Sequence, residues 1–177
     1  IEFTPNGEIQ TANQNFLSRM GYSLAELKGK HHRIFCTAAL VNSGAYQDFW
    51  RRLNQGELFH GQFERVDKRG QTVWLEANYN PVYDASGRLC KVVKFASDVT
   101  AAKLRNLDFE SRIRAVDLSQ AVIEFDLDGN ILTANENFLR VMGYSMRELT
   151  GQHHSKLCTP EHIVSQEYRD FWLRLGK

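Results

Sequence analysis

Ile1-Glu2-Phe3-Thr4-Pro5-Asn6-Gly7-Glu8-Ile9-Gln10-Thr11-Ala12-Asn13 returns further along the chain as Ile123-Glu124-Phe125-Asp126-Leu127-Asp128-Gly129-Asn130-Ile131-Leu132-Thr133-Ala134-Asn135. The correspondence continues without a gap: residues 1–55 and 123–177 are identical at 29 of 55 positions, ending with Arg52-Leu53 against Arg174-Leu175. A period this long marks a duplicated domain and not a short solenoid repeat. Each quoted stretch reads as a β-hairpin running into a helix. Asn6-Gly7 and Asp128-Gly129 supply the positive φ that a tight turn needs. Asn13 offers its side chain as the cap of a helix with Phe16, Leu17 and Met20 on one face.

Outward from the hairpin, both copies carry a capping box, Ser23-Leu24-Ala25-Glu26 and Ser145-Met146-Arg147-Glu148. A loop holding His31-His32, and His153-His154 in the second copy, follows. Tyr46, Phe49, Trp50 and Leu53 then keep helical spacing from about Ser43 to Asn54, and Tyr168, Phe171, Trp172 and Leu175 repeat it. Only the first copy goes on to strands. These are expected at residues 59–66, at 72–83, where Val73, Leu75, Ala77 and Tyr79 alternate with polar neighbours, and at 88–97, with Leu89-Cys90 and Val92-Val93 as apolar core. Each full unit thus reads β-β-α-α-α-β-β-β. Hairpin connections demand antiparallel neighbours, so the expected class is α+β: a five-stranded antiparallel sheet with helices on one face. The boundaries fall at 1–100 for the first domain, 101–120 for a connector helix and 121–177 for the front half of a second domain. The connector places Leu104, Leu107, Ile113 and Val116 in a thin stripe, either pairing with a second copy or packing on its own sheet.

Charge and composition exclude several classes. Net charge is +1, so no large field is available for nucleic acid or an anionic membrane. No apolar run is long enough to span a bilayer, and no leader is recognisable at the start of the chain. Cys36, Cys90 and Cys158 form no disulfide framework and read as buried, reduced thiols of a cytoplasmic protein. Glycine-rich phosphate loops, nucleophile elbows and paired catalytic carboxylates are missing from the sequence, so no enzymatic activity is expected.

In this order the motifs resemble the PAS family. Gly7 to Asn13 resembles its hairpin into the first helix, and Met20-Gly21-Tyr22-Ser23 with Glu26-Leu27 and Gly29 its second helix. Asp67-Lys68-Arg69-Gly70 before Trp74-Leu75-Glu76 resembles the penultimate strand, and Asn80-Pro81-Val82-Tyr83-Asp84 with Gly87 the last hairpin. Asp98-Val99-Thr100 is similar to the motif that ends PAS cores and begins the output helix. Gly29-Lys30-His31-His32 and Gly151-Gln152-His153-His154 resemble a loop found in the PAS domains of bacterial chemotaxis-type transducers. The resemblance implies a pocket between sheet and helices, with haem, flavin, a small acid or nothing inside.

The histidines are the best discriminator. In one reading His31 or His32, and likewise His153 or His154, is the axial ligand of a haem b. In the other the pair sits in a polar loop, one ring capping backbone groups and its neighbour facing water. Adjacent extended residues point opposite ways, so at most one of each pair can ligate. His31, His32 and Cys36 are also plausible zinc donors, but the spacing lacks a paired-cysteine signature. A flavin-adduct photoreceptor would need a sequence motif around Cys36 that is missing. Trp50, Trp74 and Cys36 are candidates to line a pocket, although helical periodicity alone makes Trp50 a core residue. Asp98 and Thr100 are expected to couple the last strand to the connector. The expected function is a tandem sensory input region of a chemotaxis-type transducer. Its partners would be a second copy, through PAS–PAS association or strand exchange at the incomplete domain, and a downstream signalling domain. A ligand-free dimerisation scaffold is one alternative. The input region of a sensor kinase or a cyclic-dinucleotide enzyme is another.

Overall fold

The computed structural model describes residues 1–175 of the chain. The chain divides into two compact units, residues 1–106 and Leu107 onward. In the first, β1 (Glu2–Phe3) and β2 (Ile9–Thr11) form the opening hairpin. Helices α1 (Gln14–Met20), α2 (Leu24–Leu27), α3 (Ala38–Val41) and α4 (Gly44–Asn54) follow, with a 3-10 turn at His32–Phe35 between α2 and α3. Strands β3 (Phe59–Val66), β4 (Thr72–Tyr83) and β5 (Leu89–Asp98) complete the unit. The five strands are ordered β2-β1-β5-β4-β3 and every pair is antiparallel. The expected class is therefore the observed one. The helical segment is richer than expected: the histidine loop is a 3-10 turn, and Thr37 caps an additional short helix.

Local chemistry sets these boundaries. Asn13 caps α1 by accepting from Phe16 N at 3.0 Å, and Gly21 closes that helix in the left-handed region at φ 75°. Ser23 and Glu26 form the full capping box of α2. The alternation in β4 is real: Val73, Leu75, Ala77 and Tyr79 are buried beneath the helices. They meet Phe3, Ile9, Leu17, Met20, Leu27, Phe35, Trp50 and Leu53 in one apolar core. Each large side chain fully buried there contributes roughly 1.5–3 kcal/mol. In β5 only Val92 of the expected apolar four is fully buried. Cys90 is exposed and donates to Val82 O at 3.2 Å, so it is no buried thiol.

Helix α5 (Thr100–Ser119) crosses the boundary between the units. Leu104, Leu107, Ile113 and Val116 are 42–57% exposed, so the stripe does not pack on its own sheet. The second unit repeats the front of the first: β6 (Ile123–Phe125), β7 (Ile131–Ala134), α6 (Glu136–Met142), α7 (Met146–Leu149), a 3-10 turn at His154–Leu157, α8 (Pro160–Ile163) and α9 (Gln166–Leu175). Its described sheet has two strands. No helix is long and apolar enough to cross a membrane among the described residues.

Candidate functional site

The two histidines of the loop part company. His31 precedes the 3-10 turn, and its Nδ1 accepts from Arg33 N at 3.1 Å, so it is the capping ring of the pair. Its other edge faces the opening hairpin. A Cβ on Gly7 would lie 2.8 Å from His31 Nε2 and 2.9 Å from Trp50 Cζ2, and Gly7 itself has φ 82°. Only glycine meets both demands. The same construction recurs at Gly129, against His153 and Trp172.

His32 does not face water; it is fully buried. The turn aims its ring into the core, edge-on to Phe3 and Trp50 and stacked on Tyr46. Both ring nitrogens are used: Nδ1 lies 3.0 Å from Tyr46 OH and Nε2 lies 3.1 Å from Tyr79 OH. Arg65 Nη2 donates to the Tyr79 oxygen at 3.1 Å. One directed chain satisfies all of them: Arg65 donates to Tyr79, Tyr79 to His32 Nε2, and His32 Nδ1–H to Tyr46. Burial, reinforced by the positive charges of Arg65 and Lys94, holds the imidazole pKa well below its ordinary value, so His32 is neutral. Cys36 closes the cluster with Sγ 3.7 Å from His32 Nδ1. Burial raises its thiol pKa, so Cys36 is protonated and unsuited to nucleophilic work.

An axial haem ligand needs a free ring nitrogen facing a cavity wide enough for a porphyrin. His32 offers neither, and His31 Nε2 is shut against Gly7. The residues as arranged do not fit haem held through this pair. In the second copy His153 Nδ1 accepts from Ser155 N, and His154 Nδ1 lies 3.2 Å from Tyr168 OH. Three metal-binding side chains converge nowhere among the described residues, so the His31, His32 and Cys36 donors do not form a zinc site.

Of the candidate pocket residues, Trp50 and Cys36 reach the core around His32, and Trp74 does not. The β4 alternation sends Trp74 to the opposite face of the sheet, where Lys103 Nζ lies 5.0 Å from its ring centroid. Asp98 and Thr100 do meet. Asp98 Oδ1 accepts from Thr100 N and Oγ1 at 2.9 and 2.5 Å, and Asp98 also pairs with Arg19 of α1. Thr100 Oγ1 accepts from Trp74 N at 2.9 Å and from Arg19 Nη2 at 3.2 Å. One hydroxyl thus ties α1, β4, β5 and α5 together.

Arg65 and Lys94 were missed in the sequence reading. Their signal was available: Phe63 and Arg65 share one face of β3, and Val92 and Lys94 one face of β5, each two residues apart. They are 4% and 2% exposed.

These features define a PAS-type signalling module. The family described as PAS fold matches residues 9–96, and that described as PAS domain matches residues 119–172. Both halves of the chain belong to the PAS family. The particular protein it resembles over its whole length is the biofilm dispersion protein BdlA of Pseudomonas aeruginosa, at 46% identity over 177 residues, which is 42% of that protein. The aerotaxis receptor of Escherichia coli is 32% identical over 74 residues, 42% of this chain and 14% of the receptor. The chain thus spans less than half the length of these relatives. Among solved structures, a PAS domain from Colwellia psychrerythraea superposes with a TM-score of 0.50 at 19% identity, covering 57% of this chain and 85% of that one. The LOV domain of the blue-light photoreceptor Aureochrome1 gives 0.50 at 21%, covering 64% and 84%. At these identities the superpositions report the fold alone. The chain thus carries PAS sequence in tandem, at residues 9–96 and 119–172.

Proposed function

We propose that the first PAS core senses a ligand or redox state in the cytoplasm and passes it to α5, as the input of a chemotaxis-transducer-type protein acting in dispersal or taxis. The observation that carries the reading is the Thr100 clasp. A repacking of the sheet or a shift of α1 changes what Thr100 Oγ1 and Asp98 can bond, and those bonds tie the first turn of α5 to α1, β4 and β5. The apolar side chains exposed along α5 favour association with a second copy. The edges of the two-stranded sheet β6–β7 offer strand exchange as another route.

The test is Thr100→Val and Asp98→Asn in the complete protein, with dispersal or swimming behaviour as readout. Both variants are expected to fold and to alter the response. An unaltered response in both would sink the coupling.

A further inference from the structure

The first core buries an amine among cations. Among the described residues, Lys94 pairs with no carboxylate. Arg65 stands on one side of it, and the α-ammonium of Ile1, which donates to Lys94 O at 3.2 Å, on the other. The acids of the adjoining cleft are engaged elsewhere: Asp98 with Arg19, and Glu2 with Lys91 at 2.9 Å. Burial holds the Lys94 pKa below its ordinary value, and the charge of Arg65 adds to the effect against the opposing pull of Tyr79. The uncharged amine is therefore better populated here than at a surface lysine, and the uncharged amine is the nucleophile.

The same cluster holds a donor with nothing to bond. Arg65 gives Nη1 to Glu64 O at 2.6 Å and Nη2 to Tyr79 OH at 3.1 Å, but its Nε is buried without an acceptor. A buried cation left without an anion costs several kcal/mol. Arg65 and Lys94 meet at Tyr79, the guanidinium at its hydroxyl and the Lys94 Nζ 4.8 Å from its ring centroid. Lys94 also stands in the wall of a cleft of about 680 Å³, which opens a path to it for a small neutral molecule.

We propose that Lys94 is a modification site that takes up dissolved carbon dioxide as a carbamate, with Arg65 as the cation that holds the product. The Lys94 nitrogen lone pair attacks the carbon of CO2 and forms the N–C bond, one C=O π pair moves onto oxygen, and the proton on nitrogen leaves to water through the cleft. Nothing is oxidised or reduced, and loss of CO2 on return of the proton reverses the step. The product carries a negative charge where the ammonium carried a positive one, and it gives Arg65 Nε a charged acceptor. Ile1 is the rival amine, since it lines the same cleft and burial lowers its pKa too. The consequence for signalling rests on the sensory reading above. Arg19, on the same cleft wall, reaches Asp98 and Thr100, so a charge reversal at Lys94 changes the field in which the clasp sits.

Carbon NMR of the purified chain in isotope-labelled bicarbonate is the test, for wild type, Lys94→Met, Arg65→Met and Arg65→Lys. Wild type is expected to show a carbamate resonance that saturates with CO2 and is absent from Lys94→Met. At equal CO2 it is expected to be about tenfold weaker in Arg65→Met, the loss of one hydrogen bond to a charged group, and partly restored in Arg65→Lys, which keeps the charge. Because Lys94→Met removes an unpaired buried amine, the variant is expected to melt no lower than wild type, so loss of the resonance will not reflect misfolding. A wild-type spectrum without a carbamate resonance overturns the site, as does a resonance that survives Lys94→Met, which would belong to Ile1. Equal resonances in wild type and Arg65→Met overturn the part given to Arg65. A Lys94 carbamate that forms while CO2 leaves the dispersal or swimming response of the complete protein unchanged would leave the site standing and sink the sensory reading instead.

Discussion

His32 is the residue on which most of the buried polar structure turns, and its protonation gives a signed prediction. Its pKa in the fold is depressed by burial first and by Arg65 and Lys94 second, while in the unfolded chain it returns to about 6.5. Below that pH the unfolded state binds a proton that the folded state refuses, so stability falls as pH falls. His32→Gln keeps a polar side chain but cannot titrate. The wild type is expected to lose about 1.4 kcal/mol more than His32→Gln between pH 7.5 and 5.5, read by urea unfolding. Parallel pH profiles would show that His32 takes up its proton in the fold as readily as in the unfolded chain. Gly7 makes a second prediction at this scale. Gly7→Ala puts a methyl group against His31 and Trp50 at positive φ and should cost about 1–3 kcal/mol, measured the same way. The hairpin glycine was legible from the sequence because Asn-Gly needs only local rules. The fate of His32 was not: a histidine following another in a polar stretch reads as loop until tertiary structure supplies Tyr46 and Tyr79 from 14 and 47 residues away.

Elements here are joined by a few side chains that cap one helix while holding another. Asn135 shows it in the second unit. Its Oδ1 accepts from Phe138 N and Val122 N, while its Nδ2 donates to Asp117 O at 3.0 Å and Gln120 O at 2.7 Å, at the end of α5. Asn135→Ala removes the cap and the clasp together and should cost about 1–2 kcal/mol, with faster amide exchange at both helix ends. Uniform exchange in the variant and wild type would show that the two helices are held by other contacts. The cap is legible because Asn135 repeats Asn13, but the clasp is not, since spacing along the chain says which amide a side chain can reach locally and nothing about a carbonyl 15 residues back. Strand class and order of chemistry were readable for the same reason in reverse. Alternation in β4 is a local pattern with a global consequence, and it correctly placed Tyr79 inside. The same alternation sets Trp74 on the other face, so the strand pattern places it away from the core that Tyr79 enters.

At the scale of the molecule, the duplication is an internal control on what the long strands do. Tyr46 and Tyr168 are each 7% exposed, so the helices alone bury that ring. Met20 is fully buried while its counterpart Met142 is 40% exposed; Leu17 is 7% exposed, and its equivalent Leu139 lies on a pocket wall with Gly143 and Tyr144. Phe49 packs on Phe59, Phe63 and Tyr79, and Phe171, at 45% exposure, has none of those partners. Burial of these helical side chains in the first unit therefore comes from β3, β4 and β5, and burial of apolar area is the dominant stabilising term. Native-state hydrogen exchange of the first unit is expected to show its slowest amides in β4 and β5, where Val73, Leu75, Ala77, Tyr79 and Val92 are buried, and faster exchange in the short helices α2 and α3. Equal protection across the helices and the sheet would mean that the core built on Tyr79, Leu75 and Val73 contributes far less than its burial implies.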